Sequence, residues 1–251
     1  MAVETQHIVK SFDEELQKLR QTVAQMGGLV EAQLQAAVDA LVKRDAEAAA
    51  KVVRDDARID ELEQQLGNMV IRLLALRQPM AVDLRQIVSA LKISSDLERI
   101  GDYAANVAKR AIALSQQPMV RPVHAIPRMA RLVQQIIKDV LDSYVEQDVA
   151  KAIAAWQRDE EVDEMYTSLF RELLTYMMED PRNITPCTHL LFIAKNIERI
   201  GDHSTNIAET IYFLVHGKPL EAVRPKGDKS SFAVVTPATG DAPGGGHGRG
   251  A

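Results

Sequence analysis

The stretch "LERIGDYAANVAKR", Leu97 to Arg110, returns one hundred residues later as "IERIGDHSTNIAET", Ile197 to Thr210. In each copy a glutamate and an aspartate four residues apart flank a glycine, and an asparagine follows the aspartate by four. Positions four apart on a helix point almost the same way, so Glu98, Asp102 and Asn106 form one row, and Glu198, Asp202 and Asn206 form another. Like charges at this spacing cost an isolated helix a few tenths of a kcal/mol, and a mid-helix glycine costs about 1 kcal/mol relative to alanine. The same penalties recurring at matching places point to an internal duplication and to a use for the acids.

Fixed offsets test the duplication. A shift of 103 takes Asp45 to Asp148, Asp56 to Asp159, Ile59 to Val162, Asp60 to Asp163 and Glu61 to Glu164. A shift of 100 takes Glu98, Arg99, Ile100, Gly101, Asp102 and Asn106 to identical residue types. The offset changes near the joint between second and third helices, where loop length is free to vary.

Apolar residues recur every three or four positions from Phe12 to Leu41, through Leu16, Leu19, Val23, Met26, Val30, Leu34 and Val38, which predicts a long amphipathic helix. "SFDE" at Ser11 to Glu14 suits a capping box, so the helix is expected to start there. Gly27 and Gly28 predict a bend or a close helix contact in its middle. Asp45 is the expected N-cap of a second helix running to Arg77, with Ile59, Leu62, Leu66, Met69, Val70 and Leu73 inward. Pro79 interrupts, and a third helix over Val82–Leu114 turns Leu84, Ile87, Val88, Leu91, Leu97, Ile100, Ala104 and Val107 toward a core. Pro118, Pro122 and Pro127 mark a joint, after which Leu132–Tyr144, Asp148–Met178 and Pro186–Val215 read as three more helices, with Asp148 and Thr185 as caps. The expected fold is all-α, two tandem antiparallel three-helix bundles. The first repeat spans 1–115 and the second 116–216, and 217–251, polar and ending in glycines, reads as a disordered tail with Phe232–Val235 as its apolar spot.

Composition narrows the function. With 46% apolar but only 4% aromatic residues, aliphatic side chains must fill the core. The net charge of −5 gives no general attraction to nucleic acid or an anionic membrane. Cys187 is the only cysteine, so no intrachain disulfide or Cys-based zinc site can form, and no apolar run approaches the ~20 residues that span a bilayer. A cytoplasmic protein is expected. The sole Glu-x-x-His, Glu4 to His7, is one short of a ferritin-like pair, and no phosphate loop or nucleophile elbow is present. Lone Cys187 and Trp156 read as packing residues, and His203, about 100° away from Asp202 on its helix, reads as a core or surface residue rather than a ligand.

The second helices repeat the acidic device, with Asp56 and Asp60 four apart, and Asp159 and Asp163 likewise. If neighbouring helix faces meet, four carboxylates converge per repeat, and such a set calls for a cation. Carboxylate and carboxamide oxygens suit divalent or trivalent metal ions, with iron, manganese, magnesium or zinc as candidates, zinc the less suited without His or Cys. The bland alternative is a solvated face neutralised by Arg58, Arg99, Lys109 and Arg199.

With "ERIGDYAANVA", "ERIGDHSTNIA" and "RQPMAVDLR" at the joint before the third helix, the chain closely resembles the PhoU family over about residues 7–216. The family pattern, Glu or Asp, three residues, then Asp, is associated with multinuclear metal clusters on the bundle surface. By position it carries over to Glu98 with Asp102, Glu198 with Asp202, Asp56 with Asp60, and Asp159 with Asp163. Asn106 and Asn206 follow as weaker candidates, whereas Asp96 becomes Asn196 in the second copy and is not counted.

The resemblance implies regulation rather than catalysis. Such proteins link the high-affinity phosphate ABC importer, through its ATPase subunit, to a phosphate-sensing histidine kinase, and keep phosphate-starvation genes silent when phosphate is plentiful. Membrane association is then expected only through partner proteins, and apolar stripes on a long bundle predict a homodimer. A carboxylate-bridged metalloenzyme and a purely structural adaptor are the alternative readings.

Overall fold

The computed structural model describes residues 2–222, with side chains from residue 11 onward. Eight α-helices account for nearly all of the described chain. They are α1 (Ala2–Lys43), α2 (Ala46–Asp55), α3 (Ala57–Arg77), α4 (Ala81–Ser115), α5 (Ile126–Glu146), α6 (Val149–Gln157), α7 (Asp159–Glu179) and α8 (Ile184–His216). Each repeat is thus an antiparallel three-helix bundle whose middle helix is split in two.

The turn into each middle helix is built twice in the same way. Arg44 and Gln147 take positive φ angles of 56° and 57°, and the next amide reaches back to a helix carbonyl, Asp45 N to Ala40 O at 2.9 Å and Asp148 N to Ser143 O at 3.0 Å. This left-handed closure satisfies carbonyls left over at a helix end. The aspartate then caps the next helix: Asp45 Oδ1 accepts from the amides of Glu47 and Ala48, and Asp148 Oδ1 from that of Lys151, as the sequence predicts.

Three helix starts and one inward position differ from expectation. α1 runs back to Ala2, so Ser11 lies inside the helix, where its hydroxyl accepts from Arg77 Nη2 at 2.6 Å beside the Arg77–Glu15 ion pair. A tertiary contact replaces the predicted cap. α5 begins at Ile126 with Pro127 in its first turn, after a 3₁₀ turn over Arg121–Ala125, because proline lacks only an amide that the first turn leaves unused. α8 begins at Ile184 rather than Pro186, so Thr185 is helical and not a cap. Leu84, expected inside, is 40% exposed, because it lies in the first turns of α4, close to the end of the bundle.

Like helices pack on like between repeats, α4 against α8 and α1 against α5. Both pairs are antiparallel: Asp96 meets His203 while Arg110 meets His189, and Gln35 meets Gln134. Leu97, Ile100, Ala104 and Val107 of α4 and Ile197, Ile200, Ile207 and Ala208 of α8 are all buried in a single core shared by both repeats. Gly27 belongs to the α1–α5 seam, where a Cβ would stand 2.5 Å from Leu141 Cδ2, so close contact is what that glycine permits.

The predicted tail begins with Gly217, which ends α8 in the left-handed conformation, and Leu220 packs on the core. Phe232–Val235 and the Glu4 to His7 side chains lie outside the described residues. No helix among the described residues is long and apolar enough to cross a membrane.

Candidate functional site

The break in each middle helix falls beside the acids. Asp56 is the junction residue between α2 and α3, with Asp60 in the first turn of α3, while Asp159 opens α7. A helix N-terminus carries unpaired amides and the positive end of the macrodipole, so carboxylates are tolerated there that a continuous helix would resist. The unbroken helix predicted over Asp45–Arg77 is corrected accordingly. The acid-rich runs Asp55–Asp56 and Asp159–Glu161 are the sequence signal for these starts.

Opposite each break lies a glycine. A Cβ on Gly101 would stand 3.1 Å from Asp56 Oδ1 and 2.9 Å from Ile59 Cδ1, and one on Gly201 would stand 2.7 Å from Asp159 Oδ1. The two glycines let the middle helix press its carboxylate onto α4 or α8, alongside the Glu and Asp of that row.

On the first face the four predicted acids share one field. Burial pushes the Asp56 carboxyl above its ordinary value; a hydrogen bond from Gln33 opposes this, while the charges of Asp60 and Asp102 add to it and that of Lys109 subtracts. Burial likewise raises Glu98, reinforced by Asp102 and Asp60 against the pull of Arg99. Arg99 lies along the row, 3.4 Å from Glu98 and 3.2 Å from Asp102, as an exposed pair of the kind worth little to stability. Gln33 Nε2 donates to Asp56 Oδ1 at 2.8 Å, and its other amide atom, Oε1, is buried with no hydrogen-bond partner.

The second face is more deeply buried. Glu198 is 5% exposed, and burial pushes its carboxyl up to about 7, against a hydrogen bond from Lys195 and with Asp202 and Asp163 adding repulsion. Lys195 Nζ donates to Glu198 Oε1 at 2.7 Å, leaving Oε2 buried and unpartnered. Asp159 and Asp163 are buried as well, at 2% and 4% exposure. Among the described residues, no group of His, Cys, Asp and Glu side chains stands ready-formed to hold a metal ion. The all-oxygen donor set, with a buried unpartnered oxygen on each face, fits a hard cation.

The weaker candidates diverge. Asn106 Oδ1 accepts from Lys109 at 3.3 Å on the first row, whereas Asn206 turns its amide to Asp96 Oδ1 at 3.3 Å in the α4–α8 seam. His203 is a seam residue too, with Nδ1 2.8 Å from Asp96 Oδ1 and its ring 5.6 Å from that of Tyr103. All four neutralising cations expected are exposed, and of them Arg99 and Lys109 act on the first face. Cys187 is buried and its thiol is pushed up by burial, and buried Trp156 donates to Glu209 Oε1 at 3.0 Å. Sequence reasoning missed Gln33 and Lys195; carrying the offsets to Ile136 and Ser95 singles out both as places where the repeats disagree.

The PhoU domain family matches the chain twice, over residues 23–111 and 126–211. The chain is 54% identical over 225 residues, 89% of its length and 98% of the relative's, to a phosphate-specific transport system accessory protein PhoU homolog of Caulobacter vibrioides. It is 52% identical to the homolog so named from Rhizobium meliloti, over 90% of this chain and 95% of the relative. Among solved structures it resembles PhoU from Pseudomonas aeruginosa, with a TM-score of 0.80 and 41% identity over 82% of this chain and all of that one. It also resembles the phosphate transport system regulatory protein PhoU from Streptococcus pneumoniae, with a TM-score of 0.78 and 31% identity over 84% of this chain and all of that one. Two matched repeats and 54% identity over 89% of its length place this chain in the PhoU family.

Proposed function

We propose that this chain regulates phosphate uptake and phosphate signalling as a metal-binding helical adaptor. The observation that carries the reading is the 54% identity, over 89% of this chain and 98% of the relative, to a protein named as a phosphate-specific transport system accessory protein PhoU homolog. In this reading the chain docks on the ATPase subunit of the phosphate ABC importer and on the phosphate-sensing histidine kinase, and holds the starvation regulon silent when phosphate is plentiful. It acts in the cytoplasm as a homodimer, reaches the membrane through these partners, and catalyses nothing itself.

The acids serve as ligands. Asp56, Asp60, Glu98 and Asp102 would hold cations on the first face, and Asp159, Asp163, Glu198 and Asp202 on the second. A bound divalent or trivalent cation supplies positive charge that offsets the repulsion within each set. The carboxylates raised by burial and by one another support this, since removing that repulsion returns free energy to the fold. Gly101 and Gly201 keep the middle-helix carboxylates against the row, so bridging by a cation would tie α3 to α4 and α7 to α8.

Affinity capture with the full chain, from solubilised membranes of its own cell, tests the adaptor role. The importer ATPase subunit and the kinase should be retained, in amounts that change with added phosphate. Retention of neither, at any phosphate or metal concentration, overturns it.

A further inference from the structure

The two acidic faces are equivalent in sequence offset and unequal in chemistry. In the second, Lys195 Nζ lies 2.7 Å from Glu198 Oε1 and 4.8 Å from the centroid of the Tyr166 ring. Its partner carboxylate is 6% exposed against 32% for the lysine, so this is a charge-assisted bond to a buried acceptor rather than a fully exposed surface pair. The shift of 100 places Ser95, an exposed and uncharged residue, at the corresponding position of the first face. The shift of 103 places apolar, fully buried Ile136 where the first face has Gln33, which holds Asp56 Oδ1 at 2.8 Å.

The remaining charges do not restore the balance. On the first face Arg99 is 56% exposed and spans Glu98 and Asp102 from the solvent side. Lys109 directs its Nζ to Asn106 Oδ1 at 3.3 Å. Its counterpart in the second repeat, Glu209, is engaged by the Trp156 indole at 3.0 Å.

Building on the metal-binding reading above, we infer that the faces are cation sites of two affinities. The first has Gln33 as a positioning residue that fixes Asp56 and presents a buried, unpartnered Oε1 beside it, and no lysine competes for its carboxylates in the way Lys195 does. The second carries its own competitor: Lys195 occupies one oxygen of Glu198, and a multivalent cation takes the full carboxylate only by displacing the ammonium. Metal therefore loads the first face at low concentration and the second only when abundant.

Titration of the metal-stripped full chain with Mn²⁺, following free ion by electron paramagnetic resonance, tests this. The unaltered protein should show two classes of site separated by about tenfold or more in affinity, the scale of one charge-assisted hydrogen bond. Glu98→Ala with Asp102→Ala should remove the tight class, and Lys195→Ser should tighten the weak class about tenfold without touching the other. Lys195→Met, which keeps an aliphatic stem against Tyr166, gives the same readout should the serine variant fold poorly. Lys195→Arg should leave the weak class weak, and Gln33→Leu should weaken the tight one. A weak class unmoved in the neutral Lys195 variants overturns the inference and leaves the metal-binding reading standing. Absence of Mn²⁺ binding by the unaltered chain overturns both.

Discussion

Asp159 and Gly201 approach so closely that the glycine has room for a hydrogen and nothing larger, a Cβ there standing 2.7 Å from Asp159 Oδ1. Gly201→Ala should therefore separate stability from ligand geometry. Alanine contributes up to about 1 kcal/mol of helix propensity, offset by the displaced carboxylate, so the midpoint of thermal unfolding should move by only a few degrees. Metal affinity of the second face should fall several-fold in the same protein. An unchanged Mn²⁺ titration in a folded variant would show that Asp159 is no ligand.

Adjacent glycines in α1 offer a contrast within one helix. Nothing lies within 4 Å of a Cβ on exposed Gly28, so Gly28→Ala should stabilise the protein by about 0.5–1 kcal/mol. At Gly27 the new carbon meets three atoms of Leu141, and Gly27→Ala should cost about 1–2 kcal/mol by overpacking the α1–α5 seam. Urea unfolding of the two variants checks the opposite signs.

The pH dependence of the metal-free protein has a definite sign. Glu198 titrates near 7 when folded, above the ordinary value of 4.5, so between those values the folded state keeps a proton that the unfolded state gives up. Stability from this group is complete below about pH 4.5 and lost as pH rises through 7, with an upper limit on the order of 3 kcal/mol. Asp56 and Glu98, also raised, act in the same direction. Chemical denaturation from pH 5 to 8 in a chelator should show Glu198→Gln gaining on the unaltered protein as pH climbs. Parallel curves would remove Glu198 from this account.

Asp96 joins the repeats by accepting from Asn206 and pairing with His203. Asp96→Ala leaves both without that acceptor inside the seam and should cost about 1–3 kcal/mol in urea. His203→Ala should be less damaging once Asp96 is already alanine, because the two act on one contact. Strict additivity of the pair would mean that the contact contributes nothing.

Elemental analysis addresses the ligand set as a whole. Protein purified from its own cell should carry iron, manganese, magnesium or zinc, and the quadruple variant Glu98→Ala, Asp102→Ala, Glu198→Ala, Asp202→Ala should carry far less while keeping its far-ultraviolet helical signal. Equal metal content would reject these residues as ligands.

Much of the fold was legible because helix packing leaves a periodic trace: Leu19, Val23, Met26, Val30 and Leu34 were placed by spacing alone and all are buried. Repeated motifs identified the two acidic faces for the same reason. What escaped depends on contacts distant in sequence. Ser11 looks like a cap until Arg77, 66 residues away, takes its hydroxyl. The breaks at Asp56 and Arg158 leave the apolar rhythm of the middle helices uninterrupted, so periodicity runs straight through them. Gln33 and Lys195 carry no motif, and their roles come from the aspartate or glutamate that the fold brings beside them.

Antiparallel pairing of α4 with α8, and of α1 with α5, is the arrangement a symmetric dimer would have if its two subunits were joined end to end. In a true dimer every substitution appears twice, and both sites must change together. Fusion into one chain lifts that constraint. Gln33 can face Asp56 while Ile136 fills the matching place, and Lys195 can sit where the other half has Ser95, so the two halves of a single molecule are free to differ in chemistry.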